Sequence, residues 1–226
     1  MRALSILHED RQVIAVDKPA GLATQGGSGV AESLEDLLAE RVRPGRKVRL
    51  VHRLDRETSG VLIAAKTQPA AAFLSAAFAE RRVEKTYLAI VCGGAPAPAE
   101  GVVDAALVRA PGKPDLMRIA RAGEAGLAAL TRYRTLSAAP AAALLELAPE
   151  TGRMHQLRAH LAHLGRPIAG DGKYGGLFSL GGHPVERLML HAWKLTAPHP
   201  EGEALQLTAP PPAEFTALAA GLGLFL

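Results

Sequence analysis

Short apolar runs, each stopped within a few residues by glycine or proline, most constrain what this chain can fold into. Val13–Val16 ends at Asp17-Lys18-Pro19-Ala20-Gly21, and Tyr87–Cys92 ends at Gly93. Runs of that length suit buried strands, and the breakers suit turns. The same reasoning predicts strands at Val61–Ala65, Ala142–Leu147, Leu188–Leu195 and Ala204–Leu207, with short strands scattered through Val102–Arg134. Helical spacing appears in four places. One helix is expected over about Ala31–Val42, capped by Ser28, with Leu34, Leu37 and Leu38 on one face. A second follows Pro69, turning Phe73, Ala77 and Phe78 inward and ending at Arg81-Arg82, which suit the negative end of its dipole. A third covers His155–Leu164, with Leu157, Leu161 and Leu164 on one face and Gly165 as its stop. A fourth covers Ala213–Leu222, after Pro210-Pro211-Pro212 ends the last strand. Strands and helices do not alternate regularly and no internal repeat appears, so the expected class is α+β. Residues 1–226 read as a single domain, in which Gly93–Gly101, with Pro96 and Pro98, is a loop or a boundary between two sub-lobes.

The chain of 226 residues is long enough for one sizeable core or two small lobes. Aromatics are only 4%, so that core must be built from Ala, Leu, Val and Ile. The single cysteine, Cys92, excludes an internal disulfide and a cysteine-rich zinc site. Met1–Asp10 carries Arg2, Glu9 and Asp10 and is no secretory signal. No stretch approaches the ~18 uninterrupted apolar residues of a spanning helix, so the cytoplasm is the expected location and no membrane partner is expected. A net charge of +4 suits a polyanionic partner. Arg41, Arg43, Arg46, Lys47, Arg49 and Arg53 crowd one stretch, and Arg118, Arg121, Arg132 and Arg134 form another. They read either as a phosphate-binding surface or as two solvated faces.

Polar chemistry concentrates in two segments. The first is Val51-His52-Arg53-Leu54-Asp55-Arg56-Glu57-Thr58-Ser59-Gly60, just before a strand. It is either a site loop or a tight turn whose hydroxyls satisfy the backbone. The second runs Thr151-Gly152-Arg153-Met154-His155-Gln156-Leu157-Arg158-Ala159-His160-Leu161, followed by Gly165–Gly175. Arg158 lies one step, roughly 100°, around the helix from Leu157, at the rim of a core face. There it needs an anion, either a carboxylate of the first segment or a partner in a purely structural ion pair. Metal binding is not expected, because His155, His160, His163 and Asp171 lack the spacing of H-E-x-x-H. His-Arg-Leu-Asp is not the kinase H-R-D, and Gly170-Asp171-Gly172-Lys173 is not a P-loop.

Together these segments resemble the RluA family of pseudouridine synthases. Its signature H-R-L-D-x-x-T-S-G stands intact from His52 to Gly60, and T-G-R-x-H-Q-[IL]-R-x-H from Thr151 to His160. G-x-P-I-x-G-D-x-x-Y-G follows from Gly165 to Gly175, and K-x-Y appears at Lys85-Thr86-Tyr87. Leu7–Gly21 resembles the family's opening strand and turn, and Arg187–Ala192 its closing strand. Residues 95–128 match poorly, and no room precedes Leu7 for an S4-type RNA-binding domain, so substrate grip is expected from the catalytic domain's own basic surface. The resemblance implies a mixed, largely antiparallel central sheet with flanking helices and a catalytic cleft. It implies an isomerase without cofactor, acting on RNA as a monomer. Gln25–Gly29 (Q-G-G-S-G) resembles members acting on large-subunit ribosomal RNA, with tRNA as the alternative substrate.

The resemblance also implies roles for individual residues. Asp55 is the essential carboxylate, acting either by attack on the sugar C1′ or through a glycal-like intermediate, and Arg158 pairs with it. Tyr87 stacks on the target base, Leu157 forms the apolar wall, and Arg53 enters the space a flipped nucleotide leaves. His52 packs and hydrogen-bonds its own loop. Two other classes remain: a non-catalytic RNA-binding or ribosome-assembly factor, and a glycosidase that releases free uracil.

Overall fold

The computed structural model describes residues 4–27, 29–41 and 48–226. Its elements begin with β1 (Ser5–Glu9), β2 (Val13–Lys18), α1 (Leu34–Arg41), β3 (Arg49–Leu50), β4 (Ser59–Ala65), α2 (Gln68–Ala79) and β5 (Glu84–Cys92). There follow β6 (Glu100–Asp104), β7 (Leu107–Ala110), β8 (Lys113–Ile119), β9 (Leu130–Ala139), β10 (Ala142–Pro149) and α3 (Gln156–His163). The chain closes with β11 (Ser179–Leu180), β12 (His183–Pro184), β13 (Leu190–His199), β14 (Gly202–Thr208) and α4 (Ala213–Gly221). The class is α+β, and the sheet is mixed and largely antiparallel, as expected. Two compact units form: Met1–Lys85 with His191–Pro210, and Thr86–Leu190 with Pro211–Leu226. Residues 93–99 connect β5 to β6 inside the second unit.

In the first unit the strand order is β1-β2-β4-β13, with β14 on β13. All seven residues of β4 are buried, which is why S-G-V-L-I-A-A reads as a continuous apolar run rather than an alternating one. On one side β4 takes β2, antiparallel along its whole length. On the other it meets β13 in parallel only at Ser59 and Gly60, and antiparallel β3 covers Ala64 and Ala65. The close parallel contact explains Gly60. Its φ is +113°, and a Cβ there would lie 2.1 Å from the carbonyl oxygen of Ala192. Helix α2 covers this sheet with Ala70, Ala71, Leu74 and Ala77, packing on Val13, Ala15, Val61, Ile63, Leu195 and Leu207.

Three local expectations change here. The first helix begins at Leu34, not near Ala31, and its cap is Ser33: the Ser33 hydroxyl and N–H both reach the Asp36 carboxylate, at 2.6 and 3.0 Å. Ser28 and Val42, named for that helix, and Arg43, Arg46 and Lys47 of the basic stretch lie outside the described residues. On α2 Ala77 is buried as expected, but the large side chain that is fully buried is Leu74, and Phe73 and Phe78 are only partly buried against the cluster. That helix stops at Ala79, and Arg81 does not sit in its last turn. Arg81 adopts a left-handed conformation (φ 59°) while its N–H bonds Phe78 and that of Arg82 bonds Ala77. This double closure usually falls to glycine.

In the second unit the order is β5-β10-β9-β6, antiparallel throughout, with the β7·β8 hairpin and the short β11·β12 pair beside it. The short strands expected through Val102–Arg134 are β6, β7, β8 and the start of β9, and the first three fall in residues 95–128, which match the family motifs poorly. Helix α3 buries six consecutive residues, Gln156–Leu161, so it is enclosed rather than amphipathic. Arg158 therefore lies inside, 7% exposed, and not at the rim of a core face. Gly165 closes α3 with φ 69°, the stop expected of it. Apart from Tyr133, the buried hydrophobic core of this unit is aliphatic or sulfur-containing until Phe215 of α4, in keeping with the chain's low aromatic content.

Candidate active site

In the first unit, the turn after β2 holds the loop that carries Asp55. Lys18 is fully buried at the end of β2, and its Nζ donates to the carbonyls of Leu22 (2.8 Å), Pro19 (3.0 Å) and Arg56 (3.1 Å). A buried ammonium needs such partners, and these three belong to the two loops it joins. Gly21 N–H bonds the same Arg56 carbonyl at 2.9 Å, and Arg56 Nε returns a bond to the Gly21 carbonyl at 3.1 Å. Thr24 grips the other side: its hydroxyl donates to the Leu54 carbonyl at 2.7 Å and accepts from the Leu54 N–H at 3.3 Å.

Within the loop the side chains divide by environment. The His52 ring stacks on Phe78, centroids 4.6 Å apart, and its Nε2 accepts the N–H of Ile63 in β4 at 3.1 Å. An acceptor at Nε2 requires the neutral ring with its proton on Nδ1. Burial first, and the nearby Lys85 charge second, hold its pKa down to about 3. Leu54 is buried, Arg53 and Arg56 are exposed, and Asp55 is half-buried. The Asp55 carbonyl accepts from Thr58 N–H at 3.1 Å, closing the turn that leads into β4. Downstream, the Ser59 hydroxyl bonds His191 Nδ1 at 2.9 Å, and His191 Nε2 reaches the Ala209 carbonyl at 3.0 Å. Asp55 is thus bracketed by Leu54 and Arg56, both pinned through their backbones.

In the second unit, Tyr87 is half-buried on β5 opposite Leu147 of β10. Leu157 and Arg158 are buried in the first turn of α3. The helix starts abruptly, with His155 in a left-handed conformation (φ 52°) and Gln156 as an internal clamp. The Gln156 amide donates to the Leu130 carbonyl and to Thr131 Oγ1, both at 3.0 Å. Its oxygen accepts from the Thr151 hydroxyl at 2.7 Å and from Arg153 N–H at 3.0 Å. One turn on, fully buried His160 bonds Thr131 Oγ1 through Nδ1 (2.9 Å) and donates from Nε2 to the Ala105 carbonyl (3.0 Å). Burial lowers its pKa too. Thr151, Gln156 and His160 therefore lock the start of α3 to β9, and Arg158 projects from the locked turn.

The anion that buried Arg158 requires is supplied within this unit by Asp171. Arg158 Nε and Nη2 each meet a carboxylate oxygen at 2.8 Å, a planar two-point fork. The Tyr174 ring lies under the guanidinium, 5.1 Å from carbon to centroid. Asp171 and Tyr174 carry no role in the sequence reading. Both belong to the Gly165–Gly175 motif, and Asp171 appears there otherwise only in rejected metal and P-loop readings, because the partnership spans a turn and a helix.

Similarity to known proteins agrees with the motifs. Residues 12–163 match the RNA pseudouridylate synthase family. The chain belongs to that family. A ribosomal large subunit pseudouridine synthase C from Vibrio cholerae is 37% identical over 91% of this chain. A ribosomal large subunit pseudouridine synthase D from Nitrosomonas europaea is 39% identical over 95% of it. The chain spans 65% and 64% of the lengths of those two relatives. Among solved structures, Human RNA Pseudouridylate Synthase Domain Containing 4 superposes with a TM-score of 0.81 at 30% identity, covering 98% of this chain and 94% of that one. Human RNA Pseudouridylate Synthase Domain Containing 1 gives 0.76 over 92% of this chain and 83% of its own. The pseudouridine synthase motifs thus fall on two loops and one helix start that the fold holds by hydrogen bonds: Thr24–Leu54, Lys18–Arg56 and Gln156–Thr131.

Proposed function

We propose that this chain isomerises specific uridines of RNA to pseudouridine, with Asp55 as the essential carboxylate and large-subunit ribosomal RNA as substrate. Membership of the family supports the activity, and the names of the Vibrio and Nitrosomonas relatives support the substrate. The observation that carries the assignment of Asp55 is its loop. Lys18, Thr24 and His52 fix the Asp55 loop and the turn that holds it through six hydrogen bonds, while Asp55 itself remains half-exposed. A reactive group needs that combination of fixed backbone and access.

The reaction breaks the bond between uracil N1 and C1′, turns the base, and joins C5 to C1′; the proton lost from C5 is balanced by one gained at N1. Nothing is oxidised and no group leaves, so no cofactor enters the scheme. A base within a stem must first be flipped out, at a few kcal/mol. Exposed Arg53 is suited to fill the space it leaves, the Tyr87 ring to stack on the extruded uracil, and Leu157 to line its pocket. Arg158 is assigned to the support of the active site. We place the reaction in the cytoplasm, with the enzyme acting as a monomer.

The test is pseudouridine mapping of ribosomal and transfer RNA from cells with and without the gene, rescued by wild type or by Asp55→Asn. A ribosomal site lost on deletion and restored only by wild type establishes the activity and its target. A lost site in tRNA moves the substrate but keeps the chemistry. No lost site, or rescue by Asp55→Asn, sinks the assignment and leaves a non-catalytic RNA-binding factor.

A further inference from the structure

The turn from Ile168 to Gly176 is built to a closer tolerance than a surface connection requires. Its first residues lie along β5: Cys92 N–H bonds the Pro167 carbonyl and Ala169 N–H bonds that of Ile90, both at 2.9 Å. β5 is also the strand that carries Tyr87. Gly170 then turns with φ 74°, where a Cβ would lie 1.9 Å from the Arg187 carbonyl oxygen. A Cβ on Gly176 would come as close to that of Ile168. Between these two glycines stands Asp171, 1% exposed. Its Oδ1 accepts the N–H groups of Lys173 (3.1 Å) and Tyr174 (3.2 Å), so the carboxylate is oriented before it meets any cation.

We propose that Asp171 and Tyr174 are positioning residues that hold the Arg158 guanidinium in its working orientation. The Asp171 fork fixes the guanidinium within its plane, because two parallel bonds of 2.8 Å leave no freedom to swivel. The Tyr174 ring fixes it across the plane. Tyr174 is itself held from both sides: its hydroxyl accepts Met117 N–H from the β7·β8 hairpin at 2.9 Å and meets His155 Nδ1 at 3.1 Å. Lys173 pairs with Asp115 of the same hairpin. The hairpin thereby acquires a function: it braces the ring on which Arg158 rests. Met117 also enters the small core of Leu107, Ala129 and Ala159, which ties the brace to α3.

This inference rests on the pseudouridine synthase reading and on the role assigned to Arg158. Its test is single-turnover conversion of a ribosomal RNA fragment by Asp171→Asn and Tyr174→Leu, alongside Arg158→Met and the two double variants. If both residues act through Arg158, each single variant slows conversion by about 100-fold, the scale expected of a misplaced reacting group. RNA affinity stays within about 3-fold, and adding either change to Arg158→Met costs almost nothing more. Tyr174→Phe keeps the ring and retains most of the rate. Loss of a buried charge partner threatens folding in Asp171→Asn; Tyr174→Leu leaves every charge paired and decides the matter if that variant does not fold. Undiminished rates, or losses that multiply on the Arg158→Met background, overturn the proposal while the synthase reading stands. A wild-type enzyme that forms no pseudouridine in any RNA overturns both.

Discussion

At the scale of single residues, left-handed backbone answers a close neighbour at some positions and none at others. Gly60 is the clearest case, because it closes the signature loop and opens β4 within 2.1 Å of where the Ala192 carbonyl would meet a Cβ. Gly60→Ala combines an overlap with rigid backbone and a φ that L side chains avoid. It should destabilise the protein by about 3 kcal/mol or more, read from the urea midpoint, and a loss under 1 kcal/mol would show that β13 can yield. Arg81 is the opposite case. Its left-handed φ of 59° closes α2 at an exposed position. Arg81→Gly relieves about 1–2 kcal/mol of left-handed strain and loses about 0.5–1 to the greater freedom of the unfolded chain. A net gain of about 0.5–1 kcal/mol is expected in denaturant unfolding.

At the scale of elements, each functional side chain depends on a neighbour distant in sequence. The Asp55 loop is held by β2 and its turn, 30 to 38 residues earlier, and Arg158 by a turn 13 residues later. Leu74 belongs here as well, since it is the largest fully buried residue with which α2 grips the first unit's sheet. Leu74→Ala should cost about 2–5 kcal/mol, because the flanking strands are hydrogen-bonded on both sides and cannot collapse into the space. If the Asp55 loop depends on that sheet as a platform, activity should fall only when the variant begins to unfold. An early loss of rate at temperatures where it remains folded would place α2 closer to the chemistry than the geometry implies. Periodicity located α2 and α3 well and chose Ala77 rightly, yet named Phe73 and Phe78 and passed over Leu74. An apolar pattern marks a face, but burial depth depends on which strand lies beneath it.

At the scale of the whole molecule, neutral histidines buried in each unit couple stability to pH. The folded His52 titrates near 3 and the unfolded one near 6.5, and His160 is displaced in the same direction. Below about pH 6.5 the unfolded chain binds protons that the folded chain refuses, so stability is complete above that value and is lost as pH falls. The loss is at most about 1.4 kcal/mol per pH unit for each histidine. Carboxylates held near 2, such as Asp10 and Glu124, act only further down, below their ordinary range. Denaturant unfolding at pH 7.5, 6.5 and 5.5 should therefore show little change in the first interval and a clear drop in the second. His52→Phe keeps the stack on Phe78 and should make the second interval shallower; an unaltered slope would remove His52 from the account. The sequence by itself determined the class of fold, the strands β2, β4, β5 and β10, and the family, because continuous apolar runs and ordered motifs are local properties. It also singled out Asp55, Arg53, Tyr87, Leu157 and Arg158 as candidates. That Ser33 caps α1, that Arg158 is buried, and that Asp171 and Tyr174 surround it became visible in the folded chain alone. Those facts depend on which distant backbone supplies a donor, an acceptor or a ring face, and no spacing along one chain encodes that.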